Sequence, residues 1–265
     1  MNNEAAINVS VSSHYRDASY ASEVTSQGIL GEMVELLEPG PLFTLIRQAD
    51  GYQSWISSDQ LAHAVMDAQT TALVRSHFIS LHLHPATDAE VIRDAVIGCR
   101  LPVLEERDGW YRLALPDGQS GWAAKDHFGS FPPATPQSVI GLAREFLGYQ
   151  YVWGGRTPKG FDCSGLVQTT FNLLGIPMPR DSRKQQKHFF RSADIHDAEA
   201  GDLLFFGSSE EKVSHVAISL GDLRFIHASG WVRYNSFRHS DPDFSPKHLD
   251  TFISVNRYPL DQGVI

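Results

Sequence analysis

The stretch Tyr151-Val152-Trp153-Gly154-Gly155, followed closely by Phe161-Asp162-Cys163-Ser164-Gly165-Leu166, decides how this chain is interpreted. Its first part predicts a loop, and its second part predicts the start of a helix. Largely apolar side chains then recur along one face at helical spacing, at Leu166, Val167, Thr170, Phe171 and Leu174. Asp162 suits the N-cap of this helix and Gly175 suits its end. The pattern therefore predicts a helix whose first turn carries Cys163.

Cys163 is the candidate nucleophile of the chain. At a helix N-terminus, unpaired backbone N–H groups and the macrodipole favour an anion, so we expect its thiol to be shifted towards the nucleophilic thiolate. The alternative is a small apolar residue that packs the start of the helix, as most free cysteines do.

Two downstream histidines supply a candidate base. The run from Val213 to Leu220 alternates as a strand, Gly221-Asp222 predicts a turn, and Leu223 to Ala228 predicts the partner strand. A catalytic base must be close to the nucleophile in space, but it need not be close to it in sequence. His215 is therefore predicted as the base and His227 as the residue that orients it. The alternative is a pair of ordinary half-buried strand histidines.

The register of this hairpin tests the pairing of the two histidines. With a two-residue loop at Gly221-Asp222, His227 would stand opposite Val216 and on the other face from His215, because side chains alternate along a strand. A three-residue loop or a bulge shifts the register by one residue and brings both rings to one face. The catalytic interpretation therefore predicts one of these two features.

Six blocks of sequence resemble, in order and at compatible spacing, the NlpC family of bacterial cell-wall peptidases. The blocks are Tyr151-x-Trp-Gly-Gly, Phe161-Asp-Cys-Ser-Gly, Pro179-Arg-Asp-Ser, Gly201-Asp-Leu-Leu-Phe-Phe, Ser214-His-Val-Ala-Ile and Phe225-Ile-His-Ala-Ser. The family consists of papain-like cysteine hydrolases, so the resemblance implies an α+β catalytic domain in the last half of the chain. It also implies that the Tyr151 hydroxyl, together with the Cys163 backbone N–H, stabilises the oxyanion.

The first half of the chain contains an internal repeat. Gly31 to Leu61 aligns with Gly98 to Phe128 without a gap, at an offset of 67 residues. Each copy has two short alternating runs, an Asp-Gly turn and a run with a tryptophan, Trp55 or Trp122, which together predict a small antiparallel barrel. Both copies resemble bacterial SH3-like domains, which accompany NlpC-type catalytic domains.

The predicted architecture therefore has three parts. Residues 1–66 are the first SH3-like barrel, residues 67–130 the second, and residues 131–265 the papain-like NlpC catalytic domain. The proline-rich segment from Phe131 to Pro136 predicts a stiff linker before the catalytic domain.

Composition argues against several other classes of protein. The net charge of −9 disfavours nucleic acid as a partner, and no apolar run approaches the length of about 18 residues that spans a membrane. The N-terminal segment has no basic residue before Arg16 and no apolar region, so the expected location is cytoplasmic. Cys99 and Cys163 are the only cysteines, and Cys99 is predicted to be structural. No HExxH or CxxC spacing appears, so neither a metal nor a cofactor is predicted.

Resemblance also suggests the substrate. Two SH3-like modules before an NlpC-type domain resemble the γ-D-glutamyl-L-diamino acid endopeptidases, which cleave murein peptides with a free N-terminal L-Ala. By that resemblance, Asp162 helps to hold the free amine, and Ser164 and Ser182 contact the D-Glu portion. The first module would contribute Glu32 and Tyr52 to the amine site. Asp162 also has a role as a plain N-cap, and Arg180 either attracts a substrate carboxylate or, as we prefer, supports the loop.

Three functional classes follow from this reading. The first is a peptidase that recycles small murein peptides, cleaving before meso-diaminopimelate or L-Lys. The second is an endopeptidase that acts on intact peptidoglycan, with the SH3-like modules as anchors. The third is a non-catalytic wall-binding protein. The presence of a candidate catalytic set argues against this class, namely Cys163, His215 and His227. Related papain-like folds also include acyltransferases, which fold alone does not separate from hydrolases.

Overall fold

The computed structural model describes residues 3–62, 70–187 and 190–258, apart from the side chains of residues 190 and 191. The chain divides into two compact units, Met1–Phe131 and Pro132–Ile265. The predicted boundary between 66 and 67 lies outside the described residues, so the division of the first unit at that point stays a prediction.

The first unit begins with a seven-stranded antiparallel sheet. Its strands are β1 (Glu4–Ile7), β2 (Val11–Tyr15), β3 (Val24–Ile29), β4 (Met33–Glu38), β5 (Phe43–Arg47), β6 (Gln53–Ser57) and β7 (Leu61–Ala62). They are ordered β3-β2-β6-β5-β4-β1-β7. The predicted Asp-Gly turn joins β5 to β6, and Gly51 has a φ of 79°, a left-handed conformation that glycine adopts without steric cost.

A second, six-stranded sheet repeats this arrangement. Its strands are β8 (Thr71–Leu73), β9 (Phe78–His82), β10 (Val91–Val96), β11 (Arg100–Arg107), β12 (Trp110–Ala114) and β13 (Ser120–Ala124). They are ordered β10-β9-β13-β12-β11-β8, the same order as their counterparts in the first sheet. Strand β1 begins at Glu4 and β8 at Thr71, and every later pair keeps that offset. The repeat found in the sequence is therefore a structural repeat that extends from the first strand to the last turn.

The two sheets of the first unit share an apolar core and a polar contact. Leu30 of the first module belongs to the core of the second, together with Leu81 and Leu101. Arg93 donates to the backbone carbonyl of Asn8 at 2.8 Å and to Asp117 at 2.8 Å. The two modules therefore form one compact body.

The second unit is an α+β domain, which confirms the predicted fold class. Its helices are α1 (Pro136–Glu145), α2 (Cys163–Leu173), α3 (Ser182–Gln186) and α4 (Pro246–Asp250). Its strands are β14 (Arg156–Thr157), β15 (Gly160–Phe161), β16 (Phe190–Ser192), β17 (Ala200–Gly207), β18 (Val213–Gly221), β19 (Arg224–Ser229), β20 (Trp231–Ser236) and β21 (Phe252–Arg257). The main sheet is ordered β16-β21-β17-β18-β19-β20.

Helices α1 and α2 pack on this sheet, and α2 contacts β18 and β19. Strand β17 is buried along nearly its whole length, as expected for a central strand covered on both faces. The sheet thus presents its two histidine-bearing strands, β18 and β19, to the helix that begins at Cys163. Among the described residues, no helix has the length and apolar character needed to cross a membrane.

Candidate active site

Cys163 is the first residue of α2, as predicted. Asp162 is the N-cap, and its carboxylate accepts a hydrogen bond from the Gly165 backbone N–H at 2.7 Å. A Cβ atom on Gly165 would lie 2.0 Å from the carbonyl oxygen of Gly155, so only glycine fits between this helix and the preceding loop. Gly175, with a φ of 82°, follows the end of the helix. The helix prediction is confirmed at both ends.

The surroundings of the Cys163 thiol differ from the sequence expectation. Burial raises the pKa of the thiol to about 12, and the nearby negative charge of Asp162 adds to the effect. The backbone N–H groups of Val216 and Ser164 and the charge of Arg180 lower the pKa of the thiol, but they do not outweigh burial. The expectation of a resting thiolate was therefore wrong, because burial depends on tertiary packing that the helix N-terminus alone does not reveal. The nucleophile needs a base that removes its proton.

His215 is placed to be that base. The sulfur of Cys163 is hydrogen-bonded to the backbone N–H of Val216, which follows His215 on β18. The thiol therefore lies beside the strand that carries the imidazole.

The hairpin between β18 and β19 has the predicted bulge. Ile218 pairs with Ile226, and the register shifts between Ser219 and Gly221. The two loop residues are Asp222 and Leu223, one position later than expected, with φ values of 55° and 61° that fit a tight hairpin turn. The register shift is confirmed, and the loop position is corrected.

The bulge brings the two histidines to one face, where His215 Nε2 lies 2.7 Å from His227 Nδ1. On its other side, His227 Nε2 lies 2.8 Å from Asn235 Oδ1, and Asn235 Nδ2 donates to the backbone carbonyl of Asp243 at 2.7 Å. The histidine pair is therefore one part of a longer hydrogen-bonded chain.

Asn235 and His248 were missed in the sequence. In the β19–β20 hairpin, His227 pairs with Arg233, so Asn235 stands diagonally across from His227 on the same face. A hairpin centred on Gly230 would have predicted this position. His248 comes from the short helix α4, and no local pattern connects that helix to the catalytic strands. Its ring centroid lies 4.7 Å from that of His227 and 5.3 Å from that of His215.

Burial keeps all three imidazoles neutral near pH 7. It holds the pKa of His215 well below its ordinary value of 6.5, with a further lowering by His227. Burial also lowers the pKa of His227 to about 3 and that of His248 to about 4. A neutral His215 can accept a proton from the thiol.

The same histidines were tested as metal ligands. Among the residues that the structure describes, His215, His227 and His248 are the group whose ligand nitrogens lie close together, within 4.8 Å. Two nitrogens on a tetrahedral zinc ion, each about 2.0–2.1 Å from the metal, stand about 3.3 Å apart. The 2.7 Å between His215 and His227 is instead a hydrogen-bond distance. A metal would have to break the contact that orients the base.

Tyr151 lies close to the nucleophile. Its backbone N–H donates to the carbonyl of Gly230 at 2.9 Å, which ties the loop to the edge of the sheet. Burial raises the pKa of the Tyr151 hydroxyl, and the neighbouring Cys163 and Asp162 raise it further. The hydroxyl therefore keeps its proton and remains a hydrogen-bond donor. Its role towards an oxyanion stays a prediction.

Asp162 forms a buried ion pair with Arg180. Its carboxylate also accepts from the Gly154 backbone N–H at 3.0 Å and from Ser164 Oγ at 3.1 Å. Arg180 in turn donates to Ser164 Oγ at 2.9 Å. Arg180 thus supports the loop, as we preferred. Asp162 was expected to offer a free countercharge for a substrate amine, but its charge is already balanced within the protein.

The remaining predicted residues lie on other elements. Ser182 begins α3. In the first unit, Glu32 accepts from Gln48 Nε2 at 2.8 Å and from the Ile29 backbone N–H at 3.2 Å. The backbone carbonyl of Tyr52 accepts from the Gln48 backbone N–H at 2.9 Å. Glu32 and Tyr52 are therefore both hydrogen-bonded to Gln48. The substrate contacts assigned to Ser182, Glu32 and Tyr52 stay predictions.

Comparison with known sequences identifies a family. Residues 148–246 match the NlpC/P60 family. The gamma-D-glutamyl-L-lysine dipeptidyl-peptidase of Bacillus cereus is 30% identical over 257 residues, which cover 91% of this chain and 74% of that protein. The Bacillus subtilis protein of the same name is 32% identical over 131 residues, which cover 48% of this chain and 44% of that protein.

Comparison with solved structures gives the same fold. An NlpC/P60 family protein from Bacillus cereus has a TM-score of 0.84 at 22% identity, covering 96% of this chain and 99% of that one. An NlpC/P60 endopeptidase from Photobacterium damselae has a TM-score of 0.68 at 15% identity, covering 96% of this chain and 72% of that one. At these identities the likeness shows the fold alone.

Proposed function

The chain belongs to the NlpC/P60 family of cysteine peptidases, and from this membership we propose that it hydrolyses the γ-D-Glu to L-diamino acid bond of murein peptides with a free N-terminal L-Ala. The proposal of a cysteine-peptidase mechanism rests on the position of Cys163, which is buried at the start of α2 beside the strand that carries His215. His215 is neutral and is hydrogen-bonded to His227. The substrate part is supported by the alignment with a gamma-D-glutamyl-L-lysine dipeptidyl-peptidase over 91% of this chain, which includes both SH3-like modules.

The first half of the proposed reaction, the formation of the acyl-enzyme, has two proton transfers through His215. His215 takes the thiol proton as the sulfur of Cys163 attacks the γ-carbonyl carbon of D-Glu. The backbone N–H of Cys163 and the hydroxyl of Tyr151 donate to the oxyanion of the tetrahedral intermediate. His215 then returns the proton to the leaving amine of the diamino acid, which departs and leaves a thioester on Cys163.

Hydrolysis of the thioester completes the cycle. His215 removes a proton from the incoming water, hydroxide oxygen adds to the thioester carbonyl, and the carbon–sulfur bond breaks. The proton held by His215 goes to the sulfur of Cys163, and L-Ala-γ-D-Glu is released. Because the resting thiol has a pKa of about 12, the attacking thiolate forms only together with the imidazolium of His215.

Five residues are proposed to select the substrate. Ser164 and Ser182 would contact the D-Glu portion, and Asp162, Glu32 and Tyr52 would hold the free amine of L-Ala. Asp162 already pairs with Arg180, and Glu32 accepts a hydrogen bond from Gln48, so the amine would meet carboxylates that the protein already holds in place. The third residue of the substrate peptide is L-Lys or meso-diaminopimelate. We also propose that the protein is cytoplasmic, which cell fractionation would test.

The test is cleavage of L-Ala-γ-D-Glu-meso-diaminopimelate, its L-Lys counterpart, their N-acetylated forms and intact peptidoglycan, each followed by mass spectrometry. We expect L-Ala-γ-D-Glu to be released from the two free peptides only. Cleavage of N-acetylated peptides at an equal rate would contradict the amine site. Cleavage of intact wall would favour the second candidate function, an endopeptidase on peptidoglycan. The bifunctional muramidase/DL-endopeptidase CwlT of Bacillus subtilis is 38% identical to this chain over 106 residues.

The two cysteines provide a matched pair of variants. Both thiols are buried, and burial raises the pKa of each to about 12. Cys163→Ala is expected to lower kcat by about 10³-fold or more, whereas Cys99→Ala should keep kcat/KM within about twofold of the wild type. Residual activity of Cys163→Ala near the wild-type level would exclude a thiol mechanism.

A further inference from the structure

We propose that Asn235 is a positioning residue that fixes the tautomers of His227 and His215, so that the unprotonated Nδ1 of His215 is the atom that accepts the thiol proton. This inference rests on the proposed peptidase reaction for its kinetic consequences. The assignment of protons rests on the hydrogen-bonded chain from the backbone carbonyl of Asp243 to His215, together with the burial that keeps both rings neutral.

The hydrogen-bonded chain ends at a backbone carbonyl, a group that cannot change its role. The carbonyl oxygen of Asp243 is only an acceptor, and it receives the Ser236 backbone N–H at 3.0 Å and a side-chain nitrogen of Asn235 at 2.7 Å. If the Asn235 amide were flipped, two oxygens would face each other at that distance. The amide nitrogen of Asn235 therefore points to Asp243, and its oxygen points to His227.

The orientation of Asn235 then determines the protonation of His227. Asn235 Oδ1 is an acceptor and lies 2.8 Å from His227 Nε2, so Nε2 carries the hydrogen. Burial lowers the pKa of His227 to about 3, so the ring is neutral and has only one N–H. His227 Nδ1 is consequently an unprotonated acceptor.

The same step applies to His215. Its Nε2 lies 2.7 Å from the unprotonated Nδ1 of His227, so His215 Nε2 must be the donor. His215 is also neutral, since burial keeps its pKa well below 6.5. Its remaining nitrogen, Nδ1, therefore has a free lone pair. In a buried site the opposite tautomer of either ring would set two lone pairs or two hydrogens against each other, which is costly.

Ring-nitrogen NMR of uniformly ¹⁵N-labelled protein tests the assignment without reference to activity. In the wild type we expect His227 and His215 each to show a protonated Nε2 and an unprotonated Nδ1. Asn235→Leu removes the acceptor and should give a mixture of tautomers at His227. Wild-type His227 protonated at Nδ1, or unchanged tautomers in Asn235→Leu, would overturn the proposal.

Asn256→Leu is the matched control for the loss of a buried amide. Asn256 lies on β21 of the same sheet and bonds to Gln186 and Ser254, outside the histidine chain. We expect this variant to keep the wild-type tautomers of His215 and His227, whatever stability it loses. If it changes them as much as Asn235→Leu does, the effect is general to the sheet and the role assigned to Asn235 is wrong.

Kinetics with the free peptide extend the test. Asn235→Leu should lower kcat by about 10- to 100-fold and leave KM within about twofold, because the base is misoriented and the substrate contacts are not. Asn235→Asp keeps an acceptor next to His227 but sets a carboxylate oxygen towards the Asp243 carbonyl, so it should recover only part of kcat at high pH. Its negative charge favours the imidazolium form, so the pKa of His215 rises and the acid limb of the kcat/KM profile moves to higher pH.

The outcomes separate this inference from the proposed function. An unmoved acid limb in Asn235→Asp, or a wild-type kcat in Asn235→Leu, would contradict the positioning role. If the wild type cleaves no murein peptide while the NMR tautomers are as expected, the proposed substrate fails and the proton assignment stands.

Discussion

The two barrels of the first unit have the same strands in the same order but different interiors. Ser12, His14 and Gln48 are buried polar residues of the first barrel, and the half-buried Glu32 is hydrogen-bonded to Gln48. The residues 67 positions later are Ile79, Leu81, Cys99 and Leu115. The second set lies in the apolar core of its barrel. One backbone arrangement therefore accommodates either an apolar core or a buried polar network.

The polar network of the first barrel satisfies its own groups. His14 Nε2 lies 2.9 Å from Ser12 Oγ, and His14 Nδ1 lies 3.2 Å from Gln48 Oε1. Gln48 Nε2 donates to Glu32 at 2.8 Å and to the backbone carbonyl of Gln27 at 3.1 Å. Buried polar groups are tolerated when they are paired in this way. The network holds the carboxylate of Glu32, which is one of the two residues of this barrel proposed for the amine site.

The polar interior also needs space that the second barrel does not provide. A Cβ atom on Gly28 would lie 2.9 Å from His14 Nε2 and 2.1 Å from Ile7 Cδ1. The counterparts of Gly28 and Ile7 in the second barrel are Ala95 and Val74. Valine lacks the Cδ1 atom, and Leu81 replaces the imidazole. The differences between the barrels are therefore sterically coupled.

Leu81→His, which places the first barrel's histidine in the second, is expected to have the largest effect on stability. The imidazole would enter a core that contains Cys99, Leu113 and Leu115, and it would meet the methyl group of Ala95. Burial of an unpaired polar group together with overpacking should lower the free energy of unfolding by about 3–5 kcal/mol. Urea denaturation measures the loss. The control Leu81→Met should cost less than about 1.5 kcal/mol, and equal losses for the two variants would show that the second core accepts a polar side chain.

His14→Leu, the reverse exchange, is expected to have an intermediate effect. It leaves Gln48 Oε1 and Ser12 Oγ without the imidazole that bonds to them, which should cost about 2–3 kcal/mol. The double variant His14→Leu/Gln48→Leu removes both members of one hydrogen bond. Its loss should therefore be smaller than the sum of the two single losses by more than about 0.5 kcal/mol. Additive losses would show that the network is not energetically coupled.

The architecture of these barrels was predictable from the sequence, but their interiors were only partly so. The Asp50-Gly51 and Asp117-Gly118 turns and the alternating strands are local signals, and an offset of 67 residues predicted two similar modules. The contact of His14 with Gln48 joins residues 34 positions apart, and no local sequence pattern predicts it.

At the candidate active site, too, features set by local sequence were predictable and contacts between distant elements were not. The N-cap at Asp162 and the bulge that brings His227 beside His215 follow from local chemistry and from alternation, and the structure has both. The ion pair of Asp162 with Arg180 and the approach of His248 depend on how separate elements pack. The pKa of Cys163 was predicted in the wrong direction for that reason, since burial outweighs the helix terminus.

Gly28→Ala is expected to have the smallest effect, and it tests whether the barrels differ by coupled changes. The added methyl group should cost about 1–2 kcal/mol through overpacking against Ile7 and His14. Ile7→Val removes the Cδ1 atom that lies nearest and should itself cost about 0.5–1.5 kcal/mol. The double variant recreates the Ala95 and Val74 pair of the second barrel, so its loss in urea denaturation should be smaller than the sum of the two single losses. The contact with His14 remains in that variant, so recovery should be partial, and adding His14→Leu should restore more. If the losses of Gly28→Ala and Ile7→Val are additive, the methyl group is accommodated by a movement of the strands, and the small residue at position 28 is not what admits the histidine.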